Sequence, residues 1–134
     1  MRTYVLDASA LLAFLQKTPG AYRVNEILKE ALRKHAKVLM SAVNYGEVYG
    51  RILPDYGSER TRAIMQAAGS LGIETVDATP QRASNAADVK AQYKLYYADS
   101  FAAALAIEHK ATLVTSDDDF RRLGRGVPVV WLKN

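Results

Sequence analysis

The sequence predicts an α/β fold with a short, mainly parallel, twisted sheet covered by helices on both faces. Three observations carry this. Strand-like runs at residues 3–6, 38–41, 73–76, 112–115 and 129–132 alternate with helical segments, the pattern of βαβ units. The runs are apolar, as in Val38-Leu39-Met40, and read as strands buried on both faces. The 134 residues are 49% hydrophobic, with no repeat, linker or low-complexity segment. They suit one domain over 1–134, burying roughly two-thirds of its unfolded surface.

The elements follow in order. Residues 3–6 form a first strand, and residues 8–15 a helix capped by Asp7 or Ser9. Pro19-Gly20 punctuates the chain. Residues 21–34 carry Val24, Ile27, Leu28, Ala31 and Leu32 at three- and four-residue steps, an amphipathic helix with a basic outer face. A strand at 38–41 leads into a helix over 42–53, ended by Pro54-Asp55-Tyr56-Gly57. Ser58 starts another helix to about residue 71, with Gly72 as its stop. After the strand 73–76, Thr79 caps a helix from Pro80 to about residue 96. Asp99 opens the next helix, to His109. The strand 112–115, a helical turn at 117–123 and a last strand at 129–132 complete the chain.

Composition excludes several chemistries. There is no cysteine, so no disulfide, thiolate nucleophile or Cys-ligated zinc. With only His35 and His109, a three-His zinc site is impossible. The apolar stretch 8–15 resembles a short signal peptide, but Asp7 interrupts it and no small-x-small cleavage site follows. No apolar run approaches the ~20 residues that cross a membrane. A cytoplasmic protein is expected. Lys and Arg total 18 against 14 Asp and Glu, a net charge of +4. If several acids gather in one site, the remaining surface is basic enough to attract phosphate backbones.

The chemistry lies in the carboxylates. Asp7 ends the first strand, Glu47 lies in the helix after the second, Asp99 opens a helix, and Asp117-Asp118-Asp119 follow the fourth strand. Taken singly, the three aspartates read as helix caps and Glu47 as a solvated face residue. Together they read differently. If the first and fourth strands are parallel neighbours, Asp7 and Asp117 meet at their carboxyl ends, where open parallel sheets place their sites. Two carboxylates ~5 Å apart at an effective dielectric of ~20 repel by about 3 kcal/mol. A fold keeps such a cluster only if cations or protons relieve it, and all-oxygen ligands suit Mg²⁺ or Mn²⁺.

Four segments carry a family resemblance: Val5-Leu6-Asp7-Ala8-Ser9-Ala10-Leu11; Ser41-Ala42 leading to Glu47; Ala98-Asp99-Ser100-Phe101-Ala102-Ala103-Ala104-Leu105-Ala106; and Leu113-Val114-Thr115-Ser116-Asp117-Asp118-Asp119-Phe120. In order and spacing they resemble a PIN domain, and among PIN domains the VapC-type toxins of prokaryotic toxin–antitoxin pairs. The resemblance implies a three-layer α/β/α sandwich and a Mg²⁺- or Mn²⁺-dependent endoribonuclease. Asp7, Glu47, Asp99 and Asp117 match the four family acids, and Asp119 an additional metal-site acid. Ser9 and Thr115 match hydroxyls that orient carboxylates or water. Thr18 stands where such toxins often carry an acid. Asp119 is favoured over Asp118 for the metal, because Asp117 and Asp119 share a face if the turn is still extended.

Arg121, Arg122 and Arg125 lie beside the acid cluster and are the first choice for phosphate contact. Lys90 and Lys94 lie among Tyr93, Tyr96 and Tyr97, a softer indication of base stacking. The resemblance further implies a small VapB-like antitoxin in a groove of the early and middle helices. It also implies a homodimer, which Tyr45, Tyr49, Tyr56 and Ile64 would serve as apolar residues beyond one core's needs. A haloacid-dehalogenase-type phosphatase would need an acid where Ser9 stands, and no Gly-rich phosphate loop is present. The remaining alternative is a PIN-fold module that binds RNA or protein without cutting.

Overall fold

In the computed structural model, described here for residues 1–132, five strands form one sheet. In chain order the elements are β1 (Arg2–Leu6), α1 (Ala8–Gln16), α2 (Ala21–Leu32), β2 (Ala36–Ser41), α3 (Ala42–Gly69), β3 (Ile73–Val76), α4 (Pro80–Tyr93), α5 (Tyr97–His109), β4 (Thr112–Thr115), a 3-10 turn (Asp118–Leu123) and β5 (Val129–Trp131). The strand order is β3-β2-β1-β4-β5. All four pairings are parallel.

The central strands are buried on both faces, and their side chains divide by the two-residue period of a strand. Tyr4, Leu6, Val38 and Met40 face one core with residues of α1, α2 and α3. Val5, Leu39 and Leu113 face the other, with residues of α4 and the Ala-rich α5. This is a three-layer α/β/α sandwich. Small alanines let α5 lie close to the sheet; Ala102 and Ala103 are fully buried. The strand order reverses between β1 and β4, so the crevice at their carboxyl ends is the topological switch point.

Several boundaries differ from the sequence expectation. The helix after β2 does not end at Pro54. It continues past the proline, which removes only one backbone donor, and breaks at Gly57 (φ 76°, ψ 168°). That backbone region is essentially closed to other residues, so Gly57 rather than Pro54 sets the bend between the two arms of α3. Helix α4 ends at Tyr93, where Lys94 takes a left-handed cap conformation. Helix α5 starts at Tyr97, so Asp99 lies within its first turn instead of opening it. Tyr45, Tyr49 and Ile64 are half-buried against the chain's own core, and Tyr56 is 42% exposed. Among the described residues no helix is long and apolar enough to cross a membrane.

Candidate functional site

Asp7 follows β1 at the switch point and caps α1. Its Oδ1 accepts from the Ala10 N–H at 2.9 Å and from the Ser9 hydroxyl at 2.7 Å. Its Oδ2 accepts from the Thr115 hydroxyl at 2.6 Å. Thr115 Oγ1 in turn accepts the Asp117 N–H at 2.9 Å, and Ser9 Oγ accepts the Ser116 N–H at 3.0 Å. Each hydroxyl has one proton, and both are spent on Asp7 when it is ionised. Two hydroxyls thus bind the end of β1 to the end of β4. Asp7 is only 3% exposed. Burial pushes its ionisation midpoint up to about 6, against the opposing effect of these hydrogen bonds.

Asp99, Asp117 and Asp119 can each offer a carboxylate oxygen within 4.8 Å of the others. Different local rules bring them there. Asp99 lies in the first turn of α5, where the helix dipole favours a negative charge. Asp117 caps the 3-10 turn, its Oδ1 accepting the Asp119 N–H at 2.9 Å. The turn is therefore wound rather than extended, and this winding aims Asp119 at the other two. Asp118 accepts from Arg121 Nε at 3.3 Å and is not in the trio.

Asp99 responds to the whole cluster. Its midpoint is raised to about 7, first by burial and then by the charges of Asp117, Asp7, Glu47 and Asp119. Glu47 reaches this field from α3, whose start is fixed by Ser41 accepting the Val43 N–H at 3.1 Å. Five carboxylates from β1, α3, α5 and the β4 exit thus share one field.

Asn44 was not singled out in the sequence. It is fully buried and donates to Glu47 Oε1 at 2.8 Å and to the Ala98 carbonyl at 3.0 Å. It ties α3 to the start of α5 and holds Glu47, itself exposed. Its spacing three residues before Glu47 on a helix was the available signal. Asn44 Oδ1 is buried without a hydrogen-bond partner. Asn44→Ala is expected to destabilise the fold by about 1–3 kcal/mol, because it breaks the buried tie between α3 and the Ala98 carbonyl. The check is a thermal melt with and without Asn44.

The arginines divide. Arg121 lies 4.2 Å from the centroid of the Trp131 ring and pairs with Asp118. Arg122 donates to the Lys94 carbonyl at 3.0 Å and stands 3.8 Å from Asp119. Arg125 is exposed.

A divalent cation fits the donor set: hard oxygens only, from groups whose repulsion it relieves. Without cation, stability should fall as pH rises. Asp7 and Asp99 have folded midpoints of about 6 and about 7 against an ordinary 3.8. Between those limits the folded state holds more protons than the unfolded, so each unit of pH favours unfolding. For buried Asp7 a displacement of about two pH units corresponds to about 3 kcal/mol, with a smaller share from the partly exposed Asp99. Melts of chelated protein at pH 5 and pH 8 should show the loss, and Mn²⁺ should restore more at pH 8.

A family model described as PIN domain matches residues 4–126. No curated protein matches the sequence. Among solved structures, the chain is similar to DNA-bound VapBC from Salmonella typhimurium (TM-score 0.76, 17% identity, covering 99% of this chain and 100% of that one). It is also similar to VapBC2 from Rickettsia felis bound to a promoter DNA fragment (0.74, 18%, 96% and 97%). A third is the VapC20 toxin of Mycobacterium tuberculosis, which cleaves the sarcin–ricin loop (0.72, 15%, 90% and 95%). At these identities the likeness is one of fold.

Proposed function

The chain belongs to the PIN domain family, and from that premise we propose that it is a VapC-type toxin. It is read as a Mg²⁺- or Mn²⁺-dependent endoribonuclease that hydrolyses RNA phosphodiester bonds in the cytoplasm and is restrained by a VapB-like antitoxin. The observation that carries this reading is the convergence of Asp99, Asp117 and Asp119 beside buried Asp7 at the switch point. The VapBC complexes and the VapC toxin among the similar structures support it.

In this reading Asp99, Asp117 and Asp119 hold the cation, with Asp7 and Glu47 completing the negative field. Bound there, a divalent ion supplies charge against the phosphoryl oxygens and a more acidic water. The chain's own residues do the rest. Ser9 and Thr115 fix the Asp7 carboxylate and leave one lone pair of Oδ2 uncommitted. Asn44 fixes Glu47. Arg122, facing Asp119, is placed to meet a phosphate without entering the trio. No histidine base is needed.

Mapping RNA ends after induction in cells tests the reading. Wild type should generate new discrete ends, and Asp117→Asn should not. Identical ends with both proteins, or none with either, would favour a non-cleaving RNA- or protein-binding module.

Control by an antitoxin and assembly as a homodimer belong to the same proposal. Tyr22 and Leu32 of α2 are 64% and 57% exposed, and Tyr56 of α3 is also exposed. They offer apolar surface to a small partner, and the carboxylates would attract a basic side chain from it. A co-expressed upstream product should copurify and suppress cleavage; undiminished activity would count against it. Light scattering at micromolar concentration should give a dimeric mass.

A further inference from the structure

Beside the acid trio lies an open cleft of about 580 Å³, lined by Lys90, Lys94, Leu95, Tyr96, Asp119 and Arg122. Three of its residues are cationic and one is acidic, and that acid belongs to the trio. The cleft therefore adjoins the carboxylate cluster through Asp119. Its shape is set by local structure. Lys94 ends α4 in a left-handed conformation (φ 57°), which turns the chain sharply. Arg122 then donates to the Lys94 carbonyl at 3.0 Å, joining the wall from the 3-10 turn to the α4 exit. Tyr96 is 74% exposed on this rim, although most of a tyrosine's surface is apolar. It flanks α5 without a side-chain cap bond.

We propose that this cleft seats a single-stranded RNA segment next to the bond to be cut. Lys90, Lys94 and Arg122 take its phosphates, and Tyr96 stacks one of its bases. The ligand class rests on the ribonuclease reading; the location rests on the cleft. The physical need is clear: five carboxylates repel a polyanion, and cations a short distance away must offset that repulsion. Exposed lysines give a sequence-tolerant grip on the backbone. A ring beside them favours unstacked bases, because every base offers a π-face only when its neighbours do not cover it. Single strands are thereby preferred over duplexes.

The test is fluorescence anisotropy of a labelled, mixed-sequence single-stranded RNA in chelator, where cutting is suppressed, across a range of salt. The proteins are wild type, Lys90→Ala/Lys94→Ala, Tyr96→Ala, Tyr96→Phe and, as a control on α2, Lys29→Ala/Arg33→Ala. Losing two phosphate contacts should flatten the slope of log K against log salt by about 1.4. Tyr96→Ala should weaken binding about fivefold or more, while Tyr96→Phe keeps it. The α2 control should resemble wild type, and thermal melts should match throughout. An unchanged slope in the lysine variant, equal binding of duplex RNA, or a larger loss in the α2 control overturns the proposal. The two readings fail separately. RNA cut by wild type with an unchanged slope in the cleft variant removes the cleft and leaves the nuclease. Cleft-dependent binding without cutting under Mg²⁺ or Mn²⁺ removes the nuclease and leaves the cleft.

Discussion

Asp99→Asn is expected to lower cleavage at least a hundredfold, about 2.7 kcal/mol of barrier, while making the metal-free protein more stable. The ionisation midpoint of Asp99 is raised to about 7, first by its partial burial and then by the charges of four other acids. At pH 8 it is mostly ionised. Replacing it with a neutral side chain of nearly the same shape removes repulsion on the order of 1–3 kcal/mol. Part of that gain is offset, because a negative charge in the first turn of α5 is favoured by the helix dipole, by about 0.3–1 kcal/mol. The net gain in chelator should be about 1–2 kcal/mol. The mutant should also respond less to Mn²⁺, since stabilisation by a ligand follows RT ln(1 + [L]/Kd) and Kd rises. A residue serving only the helix end predicts retained activity and a wild-type metal shift. Melts with chelator and with Mn²⁺, beside a cleavage assay, separate the two.

The second large effect is expected at Thr115. Its hydroxyl donates to Asp7 Oδ2 at 2.6 Å and accepts the Asp117 N–H. Thr115→Val keeps the β-branched shape in β4 but leaves a fully buried site without that hydroxyl. A hydrogen bond to a charged group contributes about 1.5–3 kcal/mol, and the Asp117 N–H loses its acceptor as well. A loss of about 2–4 kcal/mol is expected at pH 8, where Asp7 is ionised. It should be smaller at pH 5, below the Asp7 midpoint of about 6, where the carboxyl is largely protonated. Thr115→Ser should recover most of both stability and activity. Equal losses at the two pH values would mean that packing, not the Asp7 bond, carries the effect.

The strands and their parallel pairing were legible because the apolar runs are short and continuous, as in Val38-Leu39-Met40, and because helices separate the first four; only a 3-10 turn lies between β4 and β5. Element ends were less legible. Pro54-Asp55-Tyr56-Gly57 read as a stop before a new helix at Ser58; the helix survives the proline's missing donor and breaks only at the last of the four, Gly57, whose positive φ it cannot continue through. Asp99 read as a helix start because Asp is a favoured cap, yet Tyr96 flanks the helix. The grouping of Asp99, Asp117 and Asp119 depends on a wound turn after β4, not on the extended one in which Asp117 and Asp119 would share a face. Asn44 was missed because a buried polar residue on a helix looks like a surface residue until its partners are known. Arg121 drew notice by proximity to the acids, but its place over Trp131 depends on the return of β5.

The most direct measurement is cleavage of end-labelled cellular RNA by chelated protein as Mg²⁺ or Mn²⁺ is added back. The account predicts no cutting in chelator, a rate that rises and saturates with the cation, and no recovery in Asp99→Asn over the same range. Cutting at full rate in excess chelator, or an Asp99→Asn protein that reaches the wild-type rate, would contradict it.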